Sequence, residues 1–544
     1  MTEGGRTNWT IREVALKRLA MNGSQPFASQ HGGAGETYEA FIRTGAKIAN
    51  ALGNAGIKAE DTVAIFCLES LSHLHAWMGC CLLGATEVPV NTALRGEPLQ
   101  HILRMAQPTA VVVSAELIPQ LLEANSAVEC LRTLIAVGKL DYAAAAQKFG
   151  IDFISYEEVL AAGSTKIPEA TVAPGTIGSV MFTSGTTGPA KGVMMPNGQL
   201  YLMALQVIEA TRMQDNDVFY CAHPLNHIAG KYMGVLATFL AGGQIVLDDR
   251  FDAASWLDKV RDSGATISIA HGPMIEMIAR LPPAPSDRSH NMRRLMCCPM
   301  PKHLAGDFER RFDLQSIEMW GMTEIGCPAW TSSDRQRVPG SCGKPLRNYY
   351  DLRIVDPDTD EEMPPNLIGE IVIRPLYPST IMQGYLGMPE ETLKSWRNLW
   401  FHTGDAGHLD DNGNMFFVDR LKERIRRRAE NISAYDIEVA ALSFPQIREV
   451  AAVGVPSEFE GDDDIKLCIV CEDNINPIEV LTFLATRLPP FMVPRYIELL
   501  EALPRTPTNK IRKRELSLAG VGAKTWDRNQ HNVRLRDLYK GSKG

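Results

Sequence analysis

The sequence predicts an α/β protein: a large N-terminal domain of two related α/β subdomains plus a β-rich subdomain, then a small mobile α/β C-terminal domain. Three observations predict it. The 544 residues exceed what one hydrophobic core usually organises. Two separate stretches alternate helical periodicity with short β-rich runs, the rhythm of parallel sheets. A dense charge run after Asp419 then separates these stretches from a shorter α/β pattern.

The first stretch runs from Thr37 to about Val113, through "VAIFCL", "SLSHLHAWMGCCLLGA", "TEVPV", "PLQHILRMA" and "TAVVVS". The second starts at Asp217, with "VFYCA", "YMGVLATFLAG", "GQIVL", "AASWLDKVRDSG", "ATISIAH", "PMIEMIARL" and "RRLMCC". Between Val338 and Val418, short β-type segments such as "GEIVIR" and "NMFFVD" alternate with turn residues and read as the β-rich subdomain. The run "DRLKERIRRRAEN" follows, the last α/β pattern ends near Leu516, and the final twenty or so residues read as a surface tail. The expected division is residues 1–418, a connection at 419–422, and residues 423–544.

With 45% hydrophobic and 22% charged residues the chain should fold. A net charge of -9 and a pI near 5.8 supply no basic field for nucleic acid or anionic lipid, so a small-molecule partner is expected. The adjacent pairs Cys80-Cys81 and Cys297-Cys298 do not suit a disulfide framework, and Cys468-x-x-Cys471 lies in the strand-like run "IKLCIVCED" without a second CxxC. A reduced, cytoplasmic protein is expected. "MTEGGRTNWTIREV" lacks the apolar core of a signal peptide, and Gly242-Gly243-Gln244 interrupts the uncharged stretch from Tyr232 to Leu247, so no membrane span is expected.

The stretch "MFTSGTTGPAKGVMMPN", Met181 to Asn197, places three glycines, four hydroxyl residues and one lysine between hydrophobic flanks. A Walker loop would need Gly and a hydroxyl where Ala190 and Gly192 stand, so that reading fails. What remains is a loop whose Thr183, Ser184, Thr186 and Thr187 hydroxyls, backbone N–H groups and Lys191 cation suit a polyphosphate, with Gly185 and Gly188 supplying the turns.

"TSGTTGPAKGV" resembles the phosphate loop of the adenylate-forming superfamily of acyl-CoA synthetases, nonribosomal adenylation domains and firefly-type luciferases. Four more segments resemble that family's motifs in order: "MWGMTE" (Met319 to Glu324), "WFHTGD" (Trp400 to Asp405), the hinge "DRLKERI", and the lysine motif "PRTPTNKIRKREL". The resemblance covers nearly the whole chain. It implies activation of a carboxylic acid by ATP and Mg²⁺, then transfer to coenzyme A, with the C-terminal domain rotating about Lys422 between the two steps.

Residue by residue, the resemblance implies that Lys510 reaches the carboxylate and α-phosphate, and that Asp405 accepts the ribose hydroxyls. Trp320, Gly321 and Met322 lie near the adenine, Thr323 and Glu324 serve the α-phosphate and magnesium, and Arg420 contacts the ribose side. Arg426, Arg427, Arg428, Ala429, Glu430 and Asn431 fall on the face that meets coenzyme A. His227, in "HPLNHIAGKY", gates the acyl pocket, which also draws on Cys298, Pro299 and Met300. Lys231, one helical turn on, either faces an anionic or polar acid or snorkels to solvent.

Departures from the family pattern limit the inference. "CCPMP", Cys297 to Pro301, replaces a Gly-rich segment beside the acyl pocket, Asn509 stands where Gly often precedes the lysine, and Ala429 replaces a Gly. "RRRAENISAYDIE" leans toward the carnitine- and crotonobetaine-type CoA ligases. The expected activity is AMP-forming acid:CoA ligation, with a carrier-loading adenylation enzyme and a non-catalytic nucleotide-binding relative as alternatives. The identity of the acid and the formation of a homo-oligomer stay open.

Overall fold

The computed structural model describes residues 8–124, 130–141, 144, 150–183, 190–302, 304–334, 337–420, 425–427, 430–432, 434–457, 463–471, 475–505 and 511–538. It is mixed α/β, with a large N-terminal domain and a smaller C-terminal one.

The first sheet has eight strands. Thr62–Phe66, Thr86–Pro89, Ala110–Ser114, Thr133–Val137 and Asp152–Ser155 run parallel. Helices cover such strands on both faces, so "AVVVS" is buried at every position rather than alternating. On the other side of Thr86–Pro89, strand Ile177–Thr183 pairs antiparallel with Lys191–Pro196, Thr183 standing opposite Lys191. The Gly- and Thr-rich segment therefore joins two antiparallel strands.

The second sheet has nine strands. Its parallel members lie in the spatial order Pro26–Gln30, Gln244–Leu247, Val218–Cys221, Ile267–Ala270, Arg294–Cys297 and Gln315–Met322. One apolar core runs from Val63, Ile65 and Val112 through Trp77, Tyr232 and Phe239 to Phe219, Ile269 and Met319, joining the two sheets into one body. A third sheet of five antiparallel strands contains Gly369–Pro375, Trp400–Leu409 and Met415–Arg420, where the sequence expects β-rich structure.

In the smaller domain, hairpin Ile425–Arg427/Glu430–Ile432 and helix Ala434–Leu442 precede a four-stranded sheet with its own apolar core. The expected surface tail is corrected here. Trp526–Asp527 adds an antiparallel strand to Tyr496–Leu499, Arg495 bridges Asp527 and Asp464, and Leu538 is buried, so this segment closes the domain. Cys468 and Cys471 belong to strand Asp463–Cys471, where three-residue spacing points them to opposite faces. All eleven cysteines are free thiols. Among the described residues no helix is long and apolar enough to cross a membrane.

Candidate active site

The carboxyl ends of parallel strands are where ligands collect in open α/β sheets, because loops and helix N-termini converge there. In the second sheet those ends carry, side by side, His223 after Val218–Cys221, His271 after Ile267–Ala270, Cys298 after Arg294–Cys297, and the turn that closes Gln315–Met322. Of the expected motifs, the one from Met319 to Glu324 falls on this edge for a topological reason.

At the expected nucleotide end, the Trp320 indole N–H donates to Asp405 Oδ2 at 3.1 Å. Trp320 is buried, so it holds the carboxylate through its N–H as well as offering a ring. Asp405 stands opposite Arg420 in its ladder, and Arg420 Nε lies 2.8 Å from Oδ1 as an ion pair without hydrogen-bond geometry. Oδ1 is thus a buried acceptor without a hydrogen bond, the feature a nucleotide hydroxyl would satisfy. Burial pushes this carboxyl up to about 6, against the opposing pull of Arg420 and the Trp320 N–H.

Glu324 is buried and accepts from the Tyr385 hydroxyl at 2.9 Å through Oε1, while Oε2 makes no hydrogen bond among the described residues. Gln199 Nε2 donates to the Thr323 carbonyl at 2.8 Å, which fixes the preceding residue. Gly321 has a steric reason: a Cβ there would stand 2.0 Å from the Gly326 carbonyl of the returning strand. Met322 closes the same turn, its carbonyl accepting from Ile325 N–H. Lys191 Nζ lies 2.7 Å from Glu391 Oε2 and 4.8 Å from the Tyr385 ring centroid. Thr183 ends its strand beside it. Glu324, Tyr385, Lys191 and Glu391 thus form one connected polar group beside the end of strand Ile177–Thr183.

The expected acid end is different in kind. His227 Nδ1 accepts from the Ala229 N–H at 3.2 Å, which leaves Nε2 as the donor of the neutral ring. His271 Nδ1 donates to the Cys298 carbonyl at 3.2 Å, and its ring meets His227 and His223 edge-on at centroid distances of 5.8 Å and 4.7 Å. Cys298 packs against the apolar core that includes Trp320, and Pro299 is exposed beside it.

Two expectations at this end are corrected. Lys231 neither snorkels nor presents its ammonium to an acid: it is fully buried in the π-helical segment Ala229–Leu236 and donates to Glu87 Oε2 at 2.5 Å. Tyr232 donates to the other Glu87 oxygen at 2.5 Å, so one carboxylate of the first sheet takes both side chains. Without a partner, a charge so deep would be prohibitive; the pair pins one sheet to the other. Met300 is also not a pocket wall. It lies 1% exposed in the core with Ile275 and Phe308, under the Cys298-Pro299 turn.

Ser184, Gly185, Thr186, Thr187, Gly188, Lys422, Arg428, Ala429 and Lys510 lie outside the described residues. The backbones of Arg426, Arg427, Glu430 and Asn431 form a hairpin, Arg426 opposite Asn431 and Arg427 opposite Glu430. Asp419, at the expected connection, accepts from the Ala434 N–H at 3.0 Å and so ties the third sheet to the first helix beyond it.

Sequence reading missed several partners. Glu370, a buried carboxylate in the apolar run "GEIVIR", accepts from His402 Nδ1 at 2.8 Å and from Gly404 N–H at 3.0 Å, holding the turn that ends in Asp405. A lone carboxylate inside a hydrophobic strand was the available signal. Tyr385, Glu391, His223 and His271 had none beyond their residue type, since pairing across the fold assembles them.

The AMP-binding enzyme family model matches residues 17–386, and the AMP-binding enzyme C-terminal domain model matches residues 436–510. The chain belongs to the AMP-binding enzymes. Among curated relatives of this AMP-binding enzyme, feruloyl-CoA synthase of an Amycolatopsis species is 30% identical over 95% of this chain and 99% of its own. Crotonobetaine/carnitine–CoA ligase of Salmonella typhimurium is 30% identical over 86% of this chain and 90% of its own. The fold superposes on an anthranilate CoA ligase in complex with anthranoyl-AMP (TM-score 0.84, 21% identity, 94% and 97% of the two chains). It also superposes on ATP-bound MatB from Rhodopseudomonas palustris (TM-score 0.82, 22% identity, 94% and 98%).

Proposed function

We propose that this AMP-binding enzyme ligates coenzyme A to an acid with an apolar body and an uncharged far end, of the arylpropenoic type. The reaction class is ATP-dependent acid:CoA ligation through an acyl-adenylate. The observation that carries the acid class is the neutrality of the acid end. Residues 221–229, 270–275 and 297–301 contain no Asp, Glu, Lys or Arg, Lys231 is committed to Glu87, and the charged residues that directly follow the other two segments are Glu276 and Lys302. Within these three segments a second carboxylate, as in malonate, or a quaternary ammonium, as in carnitine, finds no countercharge. A feruloyl-CoA synthase is among the relatives matched over nearly the full chain.

In the first step a carboxylate oxygen attacks the α-phosphorus and pyrophosphate leaves. Asp405 Oδ1 receives the ribose hydroxyls, Trp320 and Arg420 hold that carboxylate, and Lys191 with the Ser184 to Gly188 segment meets the phosphates. Lys510 supplies the cation at the carboxylate and α-phosphate. Glu324 Oε2 would hold Mg²⁺, which supplies charge neutralisation on the phosphates. The Glu324 oxygen Oε2, which makes no hydrogen bond among the described residues, is the oxygen that suits the ion.

In the second step the coenzyme A thiol attacks the acyl carbon and AMP leaves. His227 gates the thiol path, the 426–431 hairpin faces coenzyme A, and rotation about residues 419–422 exchanges Lys510 for that hairpin. We place the reaction in the cytoplasm, where ATP and coenzyme A are both at hand. The test is a coenzyme A-consumption screen over ferulate, 4-hydroxycinnamate, anthranilate, malonate and carnitine. Arylpropenoic acids should turn over fastest; a dominant rate with malonate or carnitine would overturn the acid class.

A further inference from the structure

We propose that His223, with His271 against it, forms a hydrogen-bonding subsite for a neutral hydroxyl group on the acid, and so sets the enzyme's preference among acids. The inference rests on the acid:CoA ligase reading above. His223 is 7% exposed, and neither ring nitrogen has a hydrogen-bond partner among the described residues. A neutral imidazole carries one donor and one acceptor, and leaving both unpaired inside a protein is costly, so such a ring marks a place where a ligand completes the pairing. A hydroxyl group both donates and accepts, which matches either nitrogen of the ring.

The position supports this. His223 follows Val218–Cys221 at the ligand-collecting edge of the second sheet, one strand from His271, and the two rings meet at 4.7 Å and 89°. His271 is in turn fixed by the Cys298 carbonyl, at the segment that departs from the family's Gly-rich pattern. The backbone behind His223 is also fixed: a Cβ on Gly230 would stand 2.6 Å from the His223 carbonyl and 2.5 Å from that of Pro224, so the π-helical segment packs directly on the loop. Burial, then the neighbouring His271 and His227, push the His223 ring well below the usual histidine range. It therefore stays neutral at pH 7, which suits a hydroxyl and not a carboxylate.

The test uses two acid frames, each with three far ends. Cinnamate, 4-hydroxycinnamate and 4-carboxycinnamate form one series; octanoate, 8-hydroxyoctanoate and octanedioate form the other. The readout is the ratio of kcat/KM between hydroxylated and unsubstituted acids, measured by pyrophosphate release, so a change in the amount of folded enzyme cancels. In the wild type the hydroxylated acid should lead by at least tenfold, because a site built to bond a hydroxyl rejects the analogue lacking it. His223→Phe should collapse the ratio to near one, and His223→Gln should restore part of it. A wild-type ratio near one, or an equal ratio in wild type and His223→Phe, would overturn the proposal. So would a dicarboxylate preference that His223→Phe removes. A hydroxyl preference confined to the alkyl series would leave the subsite standing and remove the arylpropenoic reading.

Discussion

The expected nucleotide and acid sides of the candidate site are built differently, the first partly from the third sheet and the second from the second sheet. At the nucleotide end, Asp405, Glu324 and Glu370 are buried carboxylates, each held by a named donor: Trp320, Tyr385, and His402 with Gly404 N–H. At the acid end, residues 221–229, 270–275 and 297–301 contain no Asp, Glu, Lys or Arg, and Lys231 is tied off inside the core. The ribose, phosphates and metal of the nucleotide present fixed hydroxyls and charges, so fixed charges can be prepared for them. An acid is told from its competitors by small differences at an uncharged end, and a stray charge there would cost desolvation for every candidate alike.

The largest expected effect tests the tying-off. Lys231→Met should destabilise the protein by about 3–5 kcal/mol, because Glu87 is then left buried without its counter-ion. Lys231→Met with Glu87→Gln should recover a good part in thermal melting, and the ranking of acids should be unchanged in the double variant. A changed ranking would return Lys231 to the acid pocket.

At the nucleotide end, Lys510→Ala should slow pyrophosphate exchange by on the order of 10² to 10³, by comparison with the loss of one oxyanion donor. Thioester formation from supplied acyl-adenylate should persist. Equal loss in both half-reactions would sink the assignment.

Glu370→Ala should raise the KM for ATP by roughly tenfold with a smaller change in kcat, since two donors lose their acceptor behind the Asp405 turn. Glu370→Gln, which keeps one acceptor, should fall between. A loss of kcat alone would assign Glu370 a different role.

Next in size is a pH effect with opposite signs in two measurements. The folded Asp405 carboxyl sits near 6, above its ordinary 3.8, so its contribution to stability is fully present below that ordinary value and is lost as pH rises through 6. Accepting two ribose hydroxyls needs the ionised form, so the KM for ATP should fall severalfold from pH 5 to 7. Asp405→Asn should flatten both trends.

The smallest effect concerns Lys191. Glu391 occupies its ammonium at 2.7 Å, and ATP must displace that carboxylate. Glu391→Gln should therefore lower the KM for ATP about twofold to threefold, a modest gain because the pair is partly solvent-exposed. A weaker ATP interaction in this variant would show that Glu391 positions the lysine instead.

Sequence spacing alone determined the α/β class, the β-rich third sheet and the ordered motifs that contain Trp320, Glu324, Asp405 and Arg420, because periodicity and short motifs are local. It also carried the family, which rests on contiguous runs such as "TSGTTGPAKGV" and "WFHTGD". It did not determine where Lys231 points, since helical spacing says which face a residue occupies and not what that face meets. The partner that buries it, Glu87, is 144 residues away on another sheet. Met300 went the same way: whether its side chain turns toward a pocket or into the core depends on the helix packed behind the strand. The pairing of Glu370 with His402 and Gly404, and the meeting of His223 with His271, were decided by strand order and register, which only tertiary structure fixes, because contacts between distant segments form where the packed core leaves room for them.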